Sequence, residues 1–138
     1  MGNFGILTQA NGFREAAIRC DEQRLNGDGT IEWLPIPGTV NAAFACELYL
    51  KAILKAEGYS DSDIKKSGHK LKDLFSKVSP EVKAKIVNDN SIDITNIDAI
   101  SDTFSSWRYL HEDIEARMHS QNVFVYEFME VLCKISNF

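Results

Sequence analysis

The chain has 138 residues, 44% hydrophobic and 25% charged, the composition of a single globular domain (residues 1–138) able to build a core without disulfides or a structural metal. Its formal net charge of -5 excludes a global basic field and the strong non-specific nucleic-acid binding that comes with one. No apolar run approaches the roughly 18 residues of a transmembrane span, so no membrane association is expected, and Cys20, Cys46 and Cys133 are too widely spaced for a disulfide framework or a zinc site and fit a reducing cytoplasm.

The start, Met1-Gly2-Asn3-Phe4-Gly5, lacks the basic and apolar blocks of a secretory signal, and Ile6 stands where a myristoylation motif places Ser or Thr. From Asn3 to about Arg24, Phe4, Leu7, Ala10, Phe13, Ala17 and Ile18 recur at roughly helical spacing and predict a first helix. Asn26-Gly27-Asp28-Gly29-Thr30 and Pro35-Ile36-Pro37-Gly38 are turn chemistry at either end of a short extended piece, Ile31 to Leu34, and predict a long loop. Thr39 or Asn41 is placed to cap a second helix, Val40 to Glu57, closed by Gly58.

Ser60 to Lys66 is polar and fits a single turn. Gly68-His69 leads into a short amphipathic helix with Leu71, Leu74, Phe75 and Val78, stopped before Pro80. Pro80 suits a first helical position, and Val82, Ile86 and Val87 carry another short helix to Asn88. After a turn at Asp89 to Asp93, Thr95 or Asn96 caps a longer helix through Ile97, Ile100, Phe104, Trp107, Tyr109 and Leu110. Ile114 to Ser120 is polar and poorly periodic, a connection, and Val123 to Ile135 forms a final helix apolar on several faces. No strand pair with hairpin chemistry and no repeat stands out. The pattern predicts an all-α bundle of about four main helices with short helices between them.

Asn26-Gly27-Asp28-Gly29-Thr30-Ile31 copies the middle of a calcium-binding EF-hand loop, but counting from the central glycine puts Arg24 and Pro35 where two essential carboxylates belong. His69, His111 and His119 present no paired-ligand spacing, and neither a phosphate-binding glycine loop nor a nucleophile elbow is present. No metal or cofactor is expected. Lys65, Lys66, His69, Lys70 and Lys72 cluster in sequence and form a local basic patch if the fold gathers them.

The densest chemistry is in Trp107-Arg108-Tyr109-Leu110-His111-Glu112. There a fixed cation, an imidazole and a carboxylate lie within about one helical turn. A solvated Arg108–Glu112 pair is the plain alternative. Glu47 precedes Lys51 by four residues, the favourable order for a helical ion pair, although an acid so central to an apolar segment can also face inward.

Three ordered segments resemble the HEPN superfamily, small helical-bundle proteins of defence and toxin-antitoxin systems. Asn41 to Leu54 is similar to that family's alanine-rich Glu-x-x-x-Lys helix, here Glu47 and Lys51. Gly68-His69-Lys70-Leu71-Lys72-Asp73-Leu74 is similar to its Gly-His-x-Leu-x-x-Leu turn and helix, and Phe104 to Glu112 to its aromatic-Arg-Tyr element. The resemblance implies a helical homodimer with a cleft between protomers, often partnered with a nucleotidyltransferase. In catalytic members that cleft is a metal-independent ribonuclease site, marked by an Arg followed by a His after a gap of four to six residues. Here the gap from Arg108 to His111 is two, so the spacing departs from the catalytic pattern.

Metal-free RNA cleavage needs a base, an acid and a cation for the phosphorane charge, all held in position. The leading expectation is therefore a non-catalytic HEPN-like module binding a nucleotide, RNA or a protein partner near Arg108. Glu47, Lys51, His69, Tyr109 and Glu112 are the accompanying binding residues. A ribonuclease using Arg108 and His111 is the alternative, and a purely structural interaction protein the third. His69, just before a helix, also has a bland reading as a cap or brace of that helix.

Overall fold

The computed structural model describes the backbone of residues 2–106 and 114–136, and the side chains of 5–98, 100–101 and 123–136. The architecture is all-α. Four long helices, α1 (Gly2–Asp21), α2 (Pro35–Ala56), α6 (Ile94–Ser106) and α7 (Ile114–Ser136), are joined by the short helices α3 (Asp61–Lys66), α4 (Leu71–Ser76) and α5 (Pro80–Ala84). A π turn, Lys85–Asp89, continues α5, and two two-residue strands, β1 (Arg24–Leu25) and β2 (Ile31–Glu32), lie between α1 and α2.

Helix α2 is the axis of the molecule, packed along α1 and α7 and touching α3 and α4. Its sequence explains this position, because Ala42, Ala43, Ala45 and Cys46 are small and buried and let neighbouring backbones approach. Tyr49, Leu50 and Leu54 then fill the core together with Phe128, Met129 and Leu132 of α7 and Leu71 and Leu74 of α4. Each such large apolar side chain contributes about 1.5–3 kcal/mol by leaving water. Phe128 stacks on Phe124 at a centroid distance of 5.6 Å and meets the edge of Phe75 at 6.3 Å, which ties α7 to α4.

The closest approach in the bundle is at Gly38, in the first turns of α2. A Cβ there would lie 2.6 Å from the Tyr126 hydroxyl and 2.9 Å from Cys20 Cβ. The Tyr126 hydroxyl in turn donates to the Ala17 carbonyl at 2.8 Å, so α1, α2 and α7 are pinned where only a glycine fits. Burial pushes the Tyr126 phenol pKa well above its usual range, with the nearby Asp21 carboxylate adding to the effect.

Several local expectations are corrected. Residues 24–32 do form a hairpin: Arg24 is paired with Glu32 and Leu25 with Ile31 in antiparallel register. Asn26 N–H donates to the Thr30 carbonyl at 2.7 Å, Gly29 turns at φ +88°, and Asp28 Oδ1 accepts from both Thr30 N–H and Thr30 Oγ1. The residues that imitate a calcium loop thus spend their carboxylate on closing a turn.

The Pro35-Ile36-Pro37-Gly38 segment, expected as a turn, is the first turn of α2, which starts five residues earlier than Val40. Proline costs nothing there because first-turn N–H groups have no helical acceptor, and its fixed φ suits the helix. Neither Thr39 nor Asn41 caps this helix. Its N-cap is Leu34, without a side-chain cap, and Thr39 lies inside, donating through Oγ1 to the Pro35 carbonyl at 2.7 Å.

Helix α6 begins at Ile94, with Asp93 rather than Thr95 or Asn96 as its cap. Asp93 Oδ1 accepts from Thr95 N–H at 3.0 Å and from Thr95 Oγ1 at 2.7 Å. Helix α7 begins at Ile114, so the segment expected as a connection up to Ser120 is helical. Ser60 to Lys66 is a capped helix, with Ser60 Oγ accepting from Asp63 N–H at 3.1 Å.

Candidate functional site

Two turns of sequence on α2 and one turn of loop build the most concentrated chemistry among the described residues. Glu47 and Lys51 stand one helical turn apart on the face of α2 that looks toward the junction between α3 and α4. Lys51 Nζ lies 3.4 Å from Glu47 Oε2. Gly68, at φ +77°, turns the chain at that junction, a conformation side-chain-bearing residues rarely adopt. The turn delivers His69 to the same place. Its Nδ1 is 3.2 Å from Lys51 Nζ and 3.5 Å from Glu47 Oε1.

Burial differs sharply across the three. The Glu47 and Lys51 side chains are 11% and 16% exposed, whereas the His69 side chain is 81% exposed. The ion pair is therefore the floor of the site and the imidazole its open rim. The Nδ1 atom has two alternative engagements: unprotonated it accepts from the Lys51 ammonium, protonated it donates to Glu47. In either case Nε2 makes no hydrogen bond among the described residues. Removing one member of the shielded pair leaves an unpaired, poorly hydrated charge, a loss on the order of 1–3 kcal/mol.

The loop that carries His69 is itself anchored. Lys72 N–H, in the first turn of α4, donates to Ser101 Oγ at 2.8 Å, and Ser101, 3% exposed on α6, donates to the Ile97 carbonyl at 2.9 Å. Ser101 was not recognisable as a site residue. Its only sequence signal is a hydroxyl one turn after Ile97 and next to Ile100, a small polar gap in an apolar stripe. The Lys70 side chain, at the N-cap of α4, makes no capping bond, and His69 turns to α2 instead, so it acts as a link between elements and not as a helix cap.

Between Ile64 and Lys72 the chain carries Lys65, Lys66, His69, Lys70 and Lys72 and no carboxylate. Lys65, Lys66 and Lys70 are exposed and Lys72 is half-buried. Arg108, Tyr109, His111 and Glu112 lie outside the described residues, as do the side chains of Arg117 and His119. Of the sequence-predicted site, then, Glu47, Lys51 and His69 are brought together.

A second polar cluster joins α1, α2 and α7. Arg14 donates to both oxygens of Glu130, at 3.1 and 3.2 Å from Nε and 2.9 Å from Nη2. Nearby, the Tyr49 hydroxyl donates to Asn11 Oδ1 at 2.5 Å. The Glu130 contact raises the Arg14 pKa, so this guanidinium stays charged throughout. Burial raises the Tyr49 phenol and the Cys46 thiol far above their usual ranges, which makes both poor nucleophiles. All three cysteines are free thiols. No group of three potential metal-ligating side chains occurs among the described residues.

No family model, curated protein or solved structure matches the chain. The site offers a shielded ammonium and an open imidazole, donors that phosphate oxygens accept from.

Proposed function

We propose that the chain is a HEPN-like, non-catalytic helical module that binds a phosphate-bearing ligand, a nucleotide or RNA, at the Glu47–Lys51–His69 site. The observation that carries this reading is the meeting of Lys51 and His69, from separate elements, over a carboxylate that fixes both. Glu47 neutralises Lys51 within the floor, and the positive charge that attracts the ligand is supplied by Lys65, Lys66, Lys70 and Lys72, which flank His69 in sequence. Arg108 is the further cation that the family resemblance supplies. The same reading places the protein in the cytoplasm, where free thiols stay reduced, as a homodimer. No helix among the described residues is long and apolar enough to cross a membrane.

The test is binding of a labelled RNA oligonucleotide and of ATP to the full chain without divalent metal, at two salt concentrations. Saturable binding that weakens with salt and falls about tenfold in Lys51→Ala, His69→Ala and Arg108→Ala supports the reading. Binding unaffected by Lys51→Ala and His69→Ala removes the site from the account. RNA shortened by the wild type, but not by Arg108→Ala or His111→Ala, replaces the binding reading with metal-independent cleavage.

A further inference from the structure

An asparagine followed by glycine can be attacked by its own backbone. The glycine nitrogen, unhindered by a side chain, adds to the asparagine Cγ, ammonia leaves, and water opens the resulting cyclic imide to aspartate or isoaspartate. The reaction needs an amide nitrogen outside any hydrogen bond and a backbone free to carry it onto Cγ. Two such pairs occur in the chain, Asn11-Gly12 and Asn26-Gly27, and Asp28-Gly29 is the related acid pair. Their surroundings separate them.

Asn11-Gly12 lies inside α1, where the Gly12 N–H belongs to the helical ladder, and the Asn11 side chain accepts from the Tyr49 hydroxyl at 2.5 Å. Asp28-Gly29 is held another way. Gly29 N–H donates to the Asn26 carbonyl at 3.1 Å, and Asp28 Oδ1 accepts from Thr30 N–H and Thr30 Oγ1. Those bonds from Thr30 hold the Asp28 pKa below its usual range, so the group is an ionised carboxylate and a poor electrophile.

Asn26-Gly27 is open at the reacting atoms. Both residues are exposed, and the Gly27 N–H makes no hydrogen bond among the described residues. No atom beyond the adjoining residues stands within 4 Å of where a Gly27 Cβ would lie. Asn26 N–H donates to the Thr30 carbonyl at 2.7 Å, a bond that involves neither Cγ nor the Gly27 nitrogen. The side-chain amide is tied by one exposed bond, from Nδ2 to Thr30 Oγ1 at 2.9 Å, which water replaces at little cost.

We propose that Asn26-Gly27 is a self-modification site, at which the Gly27 nitrogen displaces ammonia from Asn26 and water completes the conversion to aspartate or isoaspartate. In the first step a bond forms between Gly27 N and Asn26 Cγ, the Cγ–Nδ2 bond breaks, and the proton lost from Gly27 N leaves in the ammonia. In the second, water cleaves one of the two imide C–N bonds, giving aspartate when the Cγ bond breaks and isoaspartate when the backbone bond breaks. Either product puts a second carboxylate on the Thr30 hydroxyl that Asp28 already binds. Isoaspartate also lengthens the main chain by a methylene and takes from it the Asn26 carbonyl that accepts from Gly29 N–H, so the turn joining β1 and β2 loosens. The site is independent of Glu47, Lys51 and His69.

Incubation of the folded full chain in mildly alkaline buffer, followed by peptide mass spectrometry, tests the proposal with Asn11-Gly12 as internal control. Asn26 is expected to deamidate at least about tenfold faster than Asn11, which reacts only when its turn of helix opens. In denaturant that difference disappears. Gly27→Ala, placed in open space without a positive φ, should melt as the wild type does and slow Asn26 at least about tenfold. In the isoaspartate fraction, separated by ion exchange, amide exchange at Gly29 should speed up. Equal rates at Asn11 and Asn26 in the folded protein, a difference that persists in denaturant, or an Asn26 that reacts only in denaturant overturns the proposal. So does an undiminished rate in Gly27→Ala or unaltered Gly29 exchange in the isoaspartate fraction.

Discussion

Replacing Gly38 with alanine tests the tightest packing claim about this bundle. In an exposed helix the change stabilises, by up to about 1 kcal/mol, because alanine is the better helix former. Here the new methyl would stand 2.6 Å from the Tyr126 hydroxyl and 2.9 Å from Cys20 Cβ, both inside van der Waals contact. The hydroxyl can move only by giving up its 2.8 Å bond to the Ala17 carbonyl, and Cys20 Cβ is fixed to the α1 backbone. Overpacking costs about 1–3 kcal/mol, and the lost hydrogen bond about 1 kcal/mol more. Set against the propensity gain, the net loss is about 1–3 kcal/mol, a fall in Tm on the order of 5–10 °C for a domain of this size. Thermal unfolding followed by circular dichroism measures it.

The same contact predicts a coupling. Tyr126→Phe alone forfeits the Ala17 bond, about 1 kcal/mol, but in the Gly38→Ala background it also removes the oxygen that the methyl strikes. The double variant is therefore more stable than the sum of the single losses, by about 0.5–2 kcal/mol in a double-mutant cycle. Additive losses, or a Gly38→Ala protein melting at or above the wild type, would refute the packing described for α1, α2 and α7.

Three further outcomes follow from the described contacts. Ser101→Ala removes the acceptor for Lys72 N–H and is expected to cost about 1–2 kcal/mol, with faster amide exchange at Lys72 than at Leu74, whose N–H keeps its bond to the Lys70 carbonyl. Asp28, Asp63 and Asp93 all have pKa values lowered by hydrogen bonds from Thr30, Ser60 and Thr95, so their stabilisation is present above the ordinary aspartate range and lost as pH falls below it through the lowered values. A Tm against pH curve should drop on its acid side, and the triple asparagine variant should flatten it. Cys46 is fully buried with a raised thiol pKa and should resist iodoacetamide in the folded protein at neutral pH, then react once denaturant is added. Mass spectrometry of the alkylated peptides distinguishes it from Cys20 and Cys133.

The long periodic segments were legible because burial and helical period coincide in them: Leu50, Leu54, Ile97, Phe128 and Leu132, all apolar in the pattern, are buried. The sequence is ambiguous where backbone chemistry admits two structures. Pro35 and Pro37 announce a turn in isolation, yet a helix tolerates both in its first turn, and the choice is made by Gly38 fitting beneath Tyr126, a contact 88 residues apart in sequence. Asn26 to Thr30 is turn chemistry in the sequence, but the flanking strands are two residues long and Leu25 and Ile31 are exposed, so no inward alternation marks a hairpin.

The site shows the same division between kind and place. That Glu47 and Lys51 pair follows from their spacing on a helix, and the outcome needs no tertiary information. That His69 joins them depends on the left-handed turn at Gly68 and on Ser101 holding the start of α4, and neither can be inferred from local spacing. The arrangement nevertheless separates two roles that sequence leaves merged. Glu47 has one oxygen near the Lys51 ammonium and the other near the His69 ring, so an amide in its place would keep some hydrogen bonds but lose the charge that balances Lys51. His69, largely in solvent, adds little to the core, and its replacement should leave the fold intact while removing the exposed ring. A Glu47→Gln protein with a lowered Tm beside a His69→Ala protein with a normal one is the signature of a floor and a rim. If His69→Ala unfolds as readily as Glu47→Gln, the imidazole is a structural brace and the site has no open donor to offer a ligand.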